Sequence, residues 1–221
     1  MREKQTLATR LATPHRITGE RLSLLQHEAG ALSKGGRVKD ISITAVTHAA
    51  LSPSEVEELR RMFDDEYLDQ FGMWDPKEPY GYAGHEVHVV ARAYDTVVGH
   101  VGWARRLIEV GDSEVVIAGV GGVLVSSQAR GSHLGERLMR CAAGSMSDAG
   151  GVEFGYLGCR EDVVPFYVSC GWHRVSAPER SISRRGLPVL DRAGPPLLVL
   201  PVERELASWP EGTIDLRGRA W

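Results

Sequence analysis

The chain has 221 residues, of which 43% are hydrophobic and 25% are charged, a composition typical of a folded globular protein with a sizeable core. Its formal net charge is −3 and its isoelectric point is near 6.2, which excludes the strongly basic surface that nucleic-acid binders use. Three widely spaced cysteines without a CxxC pair disfavour a disulfide framework and a cysteine zinc site, and no segment is apolar enough to cross a bilayer. We therefore expect a cytoplasmic protein that binds neither nucleic acid nor membrane.

The N-terminal part of the chain differs from the rest in composition. Residues 1–40 mix polar, charged and glycine residues and predict a flexible extension, followed by one folded domain over residues 41–221. Apolar residues from Ile41 predict a first strand. Ser52-Pro53-Ser54-Glu55 has the residue types of a helix start, because Ser caps, Pro suits the first turn and Glu stands three residues after Ser. The helix carries Val56, Leu59, Met62 and Phe63 at helical spacing.

The hydrophobic period changes to two between residues 87 and 125. With turns at Asp95-Thr96 and Gly111-Asp112, this pattern predicts three antiparallel strands. An amphipathic helix follows from Leu134 to Gly150-Gly151. A strand over residues 152–157, a short helix over 162–170 and two strands over 172–175 and 197–202 complete the predicted order.

A polar, glycine-containing turn joins the third strand of the meander to the helix at Leu134. Backbone N–H groups of such a turn and of the first helical turn converge on one point, where the helix dipole adds about half a positive charge. Arg130 adds a formal charge beside it. The turn predicts a pyrophosphate site, with an ordinary strand-to-helix connection as the alternative.

Two segments occur in the order typical of one enzyme family. Arg130-Gly131-Ser132-His133-Leu134-Gly135 resembles the coenzyme A pyrophosphate loop of the GNAT superfamily of N-acyltransferases, although His133 stands where the family usually has Gly. Residues 166–172, Phe-Tyr-Val-Ser-Cys-Gly-Trp, are similar to its Tyr-x-x-x-Gly-Phe/Trp element. The resemblance implies an α/β (α+β) GNAT fold, with a central mixed, mostly antiparallel sheet of about seven strands and helices on both faces.

The same resemblance implies a cosubstrate and a reaction. Acetyl-CoA or another acyl-CoA would donate the acyl group, and an amine would attack the thioester directly. A backbone N–H of Val123 or Leu124 would face the thioester oxygen, and Tyr167 stands where the family's general acid protonates the leaving thiolate. The residues implied to bind the cofactor are Val123, Leu124, Val125, Arg130, Gly131, Ser132, His133, Leu134 and Gly135.

Two branches of the superfamily are more similar to this chain than the rest. Residues 100–111 resemble the nodulation N-acyltransferases, which attach a fatty acyl chain to an amino sugar. Residues 167–172, Leu200-Pro201-Val202 and Trp221 resemble the aminoglycoside 2′-N-acetyltransferases. Both branches imply a small amine acceptor such as an amino sugar or aminoglycoside. Transfer of a longer chain from acyl carrier protein and a catalytically idle acyl-CoA-binding module are the alternatives, and a homodimer is left open.

The general base is not evident in the sequence. The glutamate of the aminoglycoside branch corresponds to Gly121, which has no side chain. The remaining candidates, beside a water relay, are His100, His85, Glu86, Glu153 and the carboxylate of Trp221. His85 and His88 form an HxxH pair, but no third ligand accompanies them in the sequence, so we expect no metal.

Acidic side chains outnumber basic ones over residues 55–78, a region that covers the acceptor cleft in the family. Candidates for binding a cationic acceptor are Asp64, Asp65, Trp74 and Trp221, with a solvated helix face and hydrophobic packing as alternatives. The missing base favours an acceptor of low pKa. At pH 7 an amine of pKa near 8 is about 10% neutral, whereas a lysine of pKa near 10.4 is about 0.04% neutral.

Overall fold

The computed structural model describes residues 41–221, so the extension predicted over residues 1–40 lies outside the described part of the chain. The strands in that part are β1 (Ile41–Thr47), β2 (Val87–Ala93), β3 (Thr96–Val110), β4 (Ser113–Val125), β5 (Phe154–Gly158), β6 (His173–Val175), β7 (Glu179–Ile182), β8 (Pro188–Asp191), β9 (Leu197–Pro201) and β10 (Ile214–Arg219). The α-helices are α1 (Pro53–Phe71), α2 (Leu134–Ala149) and α3 (Val164–Ser169).

All these strands belong to one sheet with the order β6-β9-β5-β4-β3-β10-β7-β8, and β2 pairs with β3 and β1. Only β4–β5 and β10–β7 are parallel pairs within residues 41–221, which confirms the predicted mixed, mostly antiparallel sheet. The structure adds β7, β8 and β10 to the predicted strands. Their sequences are short and rich in charged residues, so their alternation is weak.

The start of α1 has the predicted capping box. The Ser52 hydroxyl accepts the Glu55 N–H at 3.3 Å, and the Glu55 carboxylate accepts the Ser52 N–H at 2.8 Å. Leu59, Met62 and Phe63 are buried, as their helical spacing predicts. This reciprocal cap fixes the entry of the chain into the helix that covers one face of the sheet.

The two long helices pack on opposite faces of the sheet. Val90 of β2 belongs to the apolar cluster under α1, whereas its neighbours Val89 and Ala91 belong to the cluster under α2. This alternation follows from the two-residue period of a strand. The predicted placement of helices on both faces is confirmed.

The pairing of β4 with β5 ends partway along β4. The register runs from Ile117 opposite Phe154 to Gly119 opposite Tyr156, and beyond Gly119 the β4 strand pairs with β3 alone. The ring of Trp221 lies over this last pair, since a Cβ added to Gly119 would come within 1.5 Å of it. A gap therefore opens between β4 and β5 in the middle of the sheet.

None of the helices over residues 41–221 combines the length and the hydrophobicity of a membrane-spanning segment.

Candidate active site

A β-bulge lies on β4 beside the gap. Gly102 of β3 pairs with Gly121 and His100 pairs with Leu124, so Gly122 and Val123 together oppose the single residue Val101. Gly122 has φ of 55°, the left-handed conformation that the first position of such a bulge requires and that glycine adopts without strain. The bulge changes the direction of β4 at the point where the strand borders the gap.

The backbone N–H groups of β4 past the bulge alternate between β3 and the gap. The Ser126 N–H donates to the Val98 carbonyl at 3.0 Å, so the N–H of Ser126 points toward β3. Because directions alternate along a strand, Leu124 also directs its N–H toward β3, and Val123 and Val125 direct theirs toward the gap. Of the two predicted oxyanion donors, this geometry favours Val123.

The loop after β4 leads directly into α2. A short 3₁₀ turn, Ser127–Ala129, is followed by Arg130, by Gly131 at φ 75° and by His133 at φ 57° and ψ 19°. His133 therefore adopts a left-handed conformation that glycine adopts without strain, and its side chain is 80% exposed beside Glu136. The first hydrogen bond of α2 runs from the Arg137 N–H to the His133 carbonyl. The N–H groups of the residues before Arg137 in α2 therefore have no partner within the helix and face the loop.

Glu66 of α1 contacts this loop at two points. Its carboxylate accepts a hydrogen bond from the Arg130 guanidinium at 2.7 Å and another from the Ser127 N–H at 3.2 Å. The Arg130 Nε–H also donates to the Val125 carbonyl at 3.2 Å. A side-chain cation and a backbone N–H thus converge on one carboxylate, the arrangement expected of an anion site. Glu66 belongs to the acidic stretch of residues 55–78, but the sequence does not indicate its contact with Arg130, because the two residues are far apart in the chain.

Tyr167 lies on α3 and is 3% exposed. Its carbonyl accepts the Trp172 N–H at 3.1 Å, and the Val168 carbonyl accepts the Gly171 N–H at 3.0 Å. With Gly171 at φ 89°, these bonds form a Schellman motif, which explains the Tyr-x-x-x-Gly-Trp spacing. Burial raises the pKa of the Tyr167 hydroxyl, and nearby Cys159, Cys170 and Tyr67 raise it further. The phenol therefore stays protonated at physiological pH.

α3 packs against the start of α2. A Cβ added to Gly135 would lie 3.1 Å from the Phe166 ring, so glycine at this position allows the two helices to approach closely. The Phe166 ring in turn lies 5.1 Å from the Tyr167 ring. The two segments that carry the sequence resemblance are thereby brought together at the gap.

Four histidines form a chain of ring contacts between α1 and the sheet. The His48 Nδ1 lies 3.1 Å from the His88 Nε2, and the His88 Nδ1 lies 2.9 Å from the His100 Nε2. The His100 Nδ1 lies 2.8 Å from the Gly122 carbonyl, and a carbonyl only accepts, so this nitrogen carries the hydrogen. The chain therefore ends on the bulge of β4.

The fourth ring, His85, occupies space provided by glycines. A Cβ added to Gly102 would come within 2.1 Å of it, and one added to Gly122 within 3.1 Å. Burial lowers the pKa of His85 and His88 well below the usual value, and burial lowers the pKa of His100 to about 4. These imidazoles are neutral at physiological pH.

Two of the other candidate bases, Glu86 and Glu153, have backbone partners in the structure. Glu86 accepts the Arg105 N–H at 3.1 Å, and Glu153 accepts the Val116 N–H at 2.8 Å while pairing with Arg204. Both carboxylates therefore hold backbone in place. The expectation that the HxxH pair lacks a third partner is wrong, because β3 brings His100 to within 4.8 Å of His85 and His88.

The four candidates for acceptor binding lie in different environments. Asp65 is exposed on α1, whereas Asp64 accepts the Trp74 N–H at 2.8 Å. Trp74 is 1% exposed and stacks on Phe63, and Trp221 is 1% exposed beneath the Arg106 guanidinium. Burial of both indole rings favours the packing alternative for them.

Comparisons with known proteins agree with this geometry. A family model described as Nodulation protein A (NodA) matches residues 41–219, and a comparison with curated proteins gives no significant match. Escherichia coli ElaA superposes with a TM-score of 0.51 at 19% identity, covering 72% of this chain and 98% of its own. An acyl-CoA N-acyltransferase from Pseudomonas aeruginosa has a TM-score of 0.51 at 18% identity, over 73% of this chain and 99% of its own.

A third solved structure carries a ligand. The GNAT family N-acetyltransferase YhbS from Escherichia coli, solved in complex with CoA, has a TM-score of 0.52 at 13% identity, over 84% of this chain and 93% of its own. Likeness at these identities shows the fold, and the predicted GNAT fold is confirmed.

The conformation of His133 leads to a test with two matched variants. His133→Gly and His133→Ala both remove the contact with Glu136, but only alanine keeps a Cβ at positive φ. We expect His133→Gly to be more stable than His133→Ala by about 1 kcal/mol, measured by denaturant unfolding. If alanine were the more stable of the two, φ at this position would be negative and the loop conformation described above would be incorrect.

Proposed function

Because the chain belongs to the NodA family and has the fold of the GNAT N-acyltransferases, we propose that it transfers an acetyl group from acetyl-CoA to an amino group of an amino sugar, an aminoglycoside or a similar small amine. The observation that carries this proposal is the succession of two features along one segment. The opened part of β4 runs directly into the loop of Arg130 and the start of α2.

This succession fits the two ends of acyl-CoA. The pantetheine chain would add to the free edge of β4 beyond Gly119, and the pyrophosphate would lie on the loop that Glu66 contacts. The Val123 N–H, which the alternation directs into the gap, would donate to the thioester oxygen. An oxyanion donor of this kind contributes roughly 3 kcal/mol in other enzymes. CoA bound to the structural neighbour YhbS supports the same cosubstrate here.

Tyr167 is the proposed general acid. When the amine attacks the thioester carbon, the carbon–sulfur bond breaks and the departing thiolate needs a proton. The Tyr167 hydroxyl is protonated at physiological pH because burial raises its pKa. Tyr167 lies on α3, which packs against the start of α2 through Phe166 and Gly135.

We do not retain His100 as the base. Its Nδ1 donates to the Gly122 carbonyl and its Nε2 faces His88, so both ring nitrogens are occupied within the described residues. Gly121 supplies no carboxylate on β4 either. The amine would therefore enter the site in its neutral form. After it attacks the thioester carbon, the nitrogen would release one proton to water. This route favours acceptors with a substantial neutral fraction at pH 7.

The first test concerns the loop. Arg130→Glu reverses the charge beside the proposed pyrophosphate and should weaken CoA binding roughly 10-fold to 100-fold, the range expected for a lost charge-assisted hydrogen bond. Isothermal calorimetry measures the affinity. Arg61→Glu is the matched control, because its side chain is 69% exposed on α1 and carries the same charge change away from the loop. Equal affinities for both folded variants would refute the cofactor assignment.

The second test concerns Tyr167. Tyr167→Phe keeps the ring that packs on Trp172 but removes the hydroxyl, so kcat should fall by about 10²-fold while acetyl-CoA affinity stays unchanged. Release of free thiol reports turnover. Tyr67→Phe, which removes the neighbouring hydroxyl on α1, is the control and should retain activity. Full activity in Tyr167→Phe would assign the protonation to water or to another residue.

The third test concerns the acceptor. Across amines of similar size, kcat/KM at pH 7 should rise as the amine pKa falls from about 10 toward 8, because the neutral fraction rises. If the acidic side chains on α1, such as the exposed Asp65, attract the acceptor, polycationic amino sugars should exceed monoamines of equal pKa. That advantage should shrink with salt, since exposed charges are screened over about 8 Å at physiological ionic strength. A preference for peptidyl lysine regardless of pKa would contradict the proposed acceptor class.

A further inference from the structure

We propose that His85, His88 and His100 form a binding site for a first-row divalent transition-metal ion of the Zn²⁺ class, which holds the bulge of β4 in place. One ring nitrogen from each residue lies within 4.8 Å of the others. The three residues are 5%, 0% and 0% exposed. Binding of the ion does not depend on the identity of the acceptor or on catalysis, although its effect on the Val123 N–H rests on the proposed function.

The hydrogen-bonded rings of His88 and His100 already bring two potential ligand nitrogens close together. The His100 Nδ1–H donates to the Gly122 carbonyl, which directs the Nε2 lone pair at the Nδ1 of His88. His48 occupies the opposite nitrogen of His88 at 3.1 Å. Metal-bound histidines commonly use their second nitrogen in this way, which fixes the tautomer and the ring orientation. His48 and Gly122 are thus the outer partners of the site.

The buried ring of His85 supports the site independently of the other two rings. Its ring is buried, and no hydrogen bond of ordinary geometry reaches either of its nitrogens within residues 41–221. The Gly121 backbone lies close enough to the ring to oppose the lowering of the His85 pKa, but its contact does not meet hydrogen-bond distance and angle. A buried polar group without a partner costs about 1 to 3 kcal/mol, so this ring requires an explanation. Coordination of a cation shared with His88 and His100 supplies one.

The donor set decides the kind of ion. Three neutral imidazoles suit zinc, copper and nickel, whereas calcium and magnesium prefer oxygen ligands. Tetrahedral zinc with bonds of about 2.0 to 2.1 Å places ligand nitrogens about 3.3 to 3.4 Å apart. The His88 Nδ1 and His100 Nε2, at 2.9 Å, would need to separate by only a few tenths of an ångström. Ion binding would also require the other tautomer of His88, in which Nε2–H donates to the His48 Nδ1 and the Nδ1 lone pair faces the ion.

The proposed ion would connect β2 with β3 and, through His100, with the bulge of β4. His85 lies two residues before β2, His88 lies in β2 and His100 lies in β3, where it is hydrogen-bonded to the Gly122 carbonyl of β4. A bound ion would therefore restrict the Gly122 carbonyl, and with it the direction of the neighbouring Val123 N–H. The three histidines are positioning residues rather than catalytic ones.

The test uses untagged full-length protein, treated with a chelator and dialysed into metal-free buffer. We expect it to bind one Zn²⁺ per chain after gel filtration, and Co²⁺ in its place to show the intense visible bands of a tetrahedral site. Hydrogen exchange in a peptide covering residues 121–124 should slow when Zn²⁺ is added. A protein that binds no Zn²⁺, or binds it only in the millimolar range, would overturn the proposal and favour a buried water beside His85.

Two variants and two controls assign the ligands. His85→Phe removes both unpartnered nitrogens and keeps a planar ring in the glycine-lined space, and His100→Asn keeps a donor for the Gly122 carbonyl. Both should lose the bound Zn²⁺, whereas His133→Ala and His173→Ala, which alter exposed histidines, should keep it. Retention by folded His85→Phe would overturn the proposal. If both variants fail to fold, X-ray absorption at the zinc edge of the wild-type protein decides, and fewer than three imidazole ligands would refute the site.

Discussion

The parallel pairing between β4 and β5 stops at Gly119, and the candidate site depends on that loss of a neighbouring strand. Beyond this residue β4 has β3 on one edge and a gap on the other, so its backbone groups on that edge are free of sheet hydrogen bonds. The bulge at Gly122 and Val123 occurs directly after this point and sets which N–H groups enter the gap. The indole of Trp221 covers Gly119, where a side chain would collide with the ring. Glycine at position 119 is therefore required by packing at the position where the two strands separate.

Polar groups of α1 and of the loop before α2 contact each other. The start of α2 and Arg130 supply positive potential, and in the structure that potential is balanced by Glu66 from α1. An anionic ligand on the loop would replace a carboxylate that already occupies the Arg130 guanidinium and the Ser127 N–H. The affinity for the ligand would then reflect the difference between the free energy of the loop's contacts with the ligand and that of its contacts with Glu66. Binding of the ligand would release Glu66 of α1 from the loop.

The histidines show how a buried polar group depends on its surroundings. His88 and His100 lie on the face of β2 and β3 that α1 covers, with Phe63 at 5.2 Å from the His100 ring. An apolar cover removes water and keeps the imidazoles neutral, so their hydrogen bonds to one another are made without charge. Such a chain fixes the tautomer of each member, because the Gly122 carbonyl at its end can only accept. In this chain the His88 Nδ1 carries the hydrogen that points at the His100 Nε2, so a bound ion would require the other tautomer of His88.

The sequence by itself determined the features that arise from residues close together in the chain. The capping box of Ser52 and Glu55, the faces of α1 and α2, the meander and the Schellman motif of Tyr167 to Trp172 all follow from local spacing, and the structure contains each of them. Only the tertiary structure decided the contacts between distant segments: His100 beside His85 and His88, Glu66 on Arg130, and Trp74 stacked inside the core. The tertiary structure also decided strands β7, β8 and β10. Their charged residues obscure the apolar alternation, and β10 pairs with a strand far from it in the chain. A periodic pattern reports which face of an element is buried, and it carries no information about which other element covers that face.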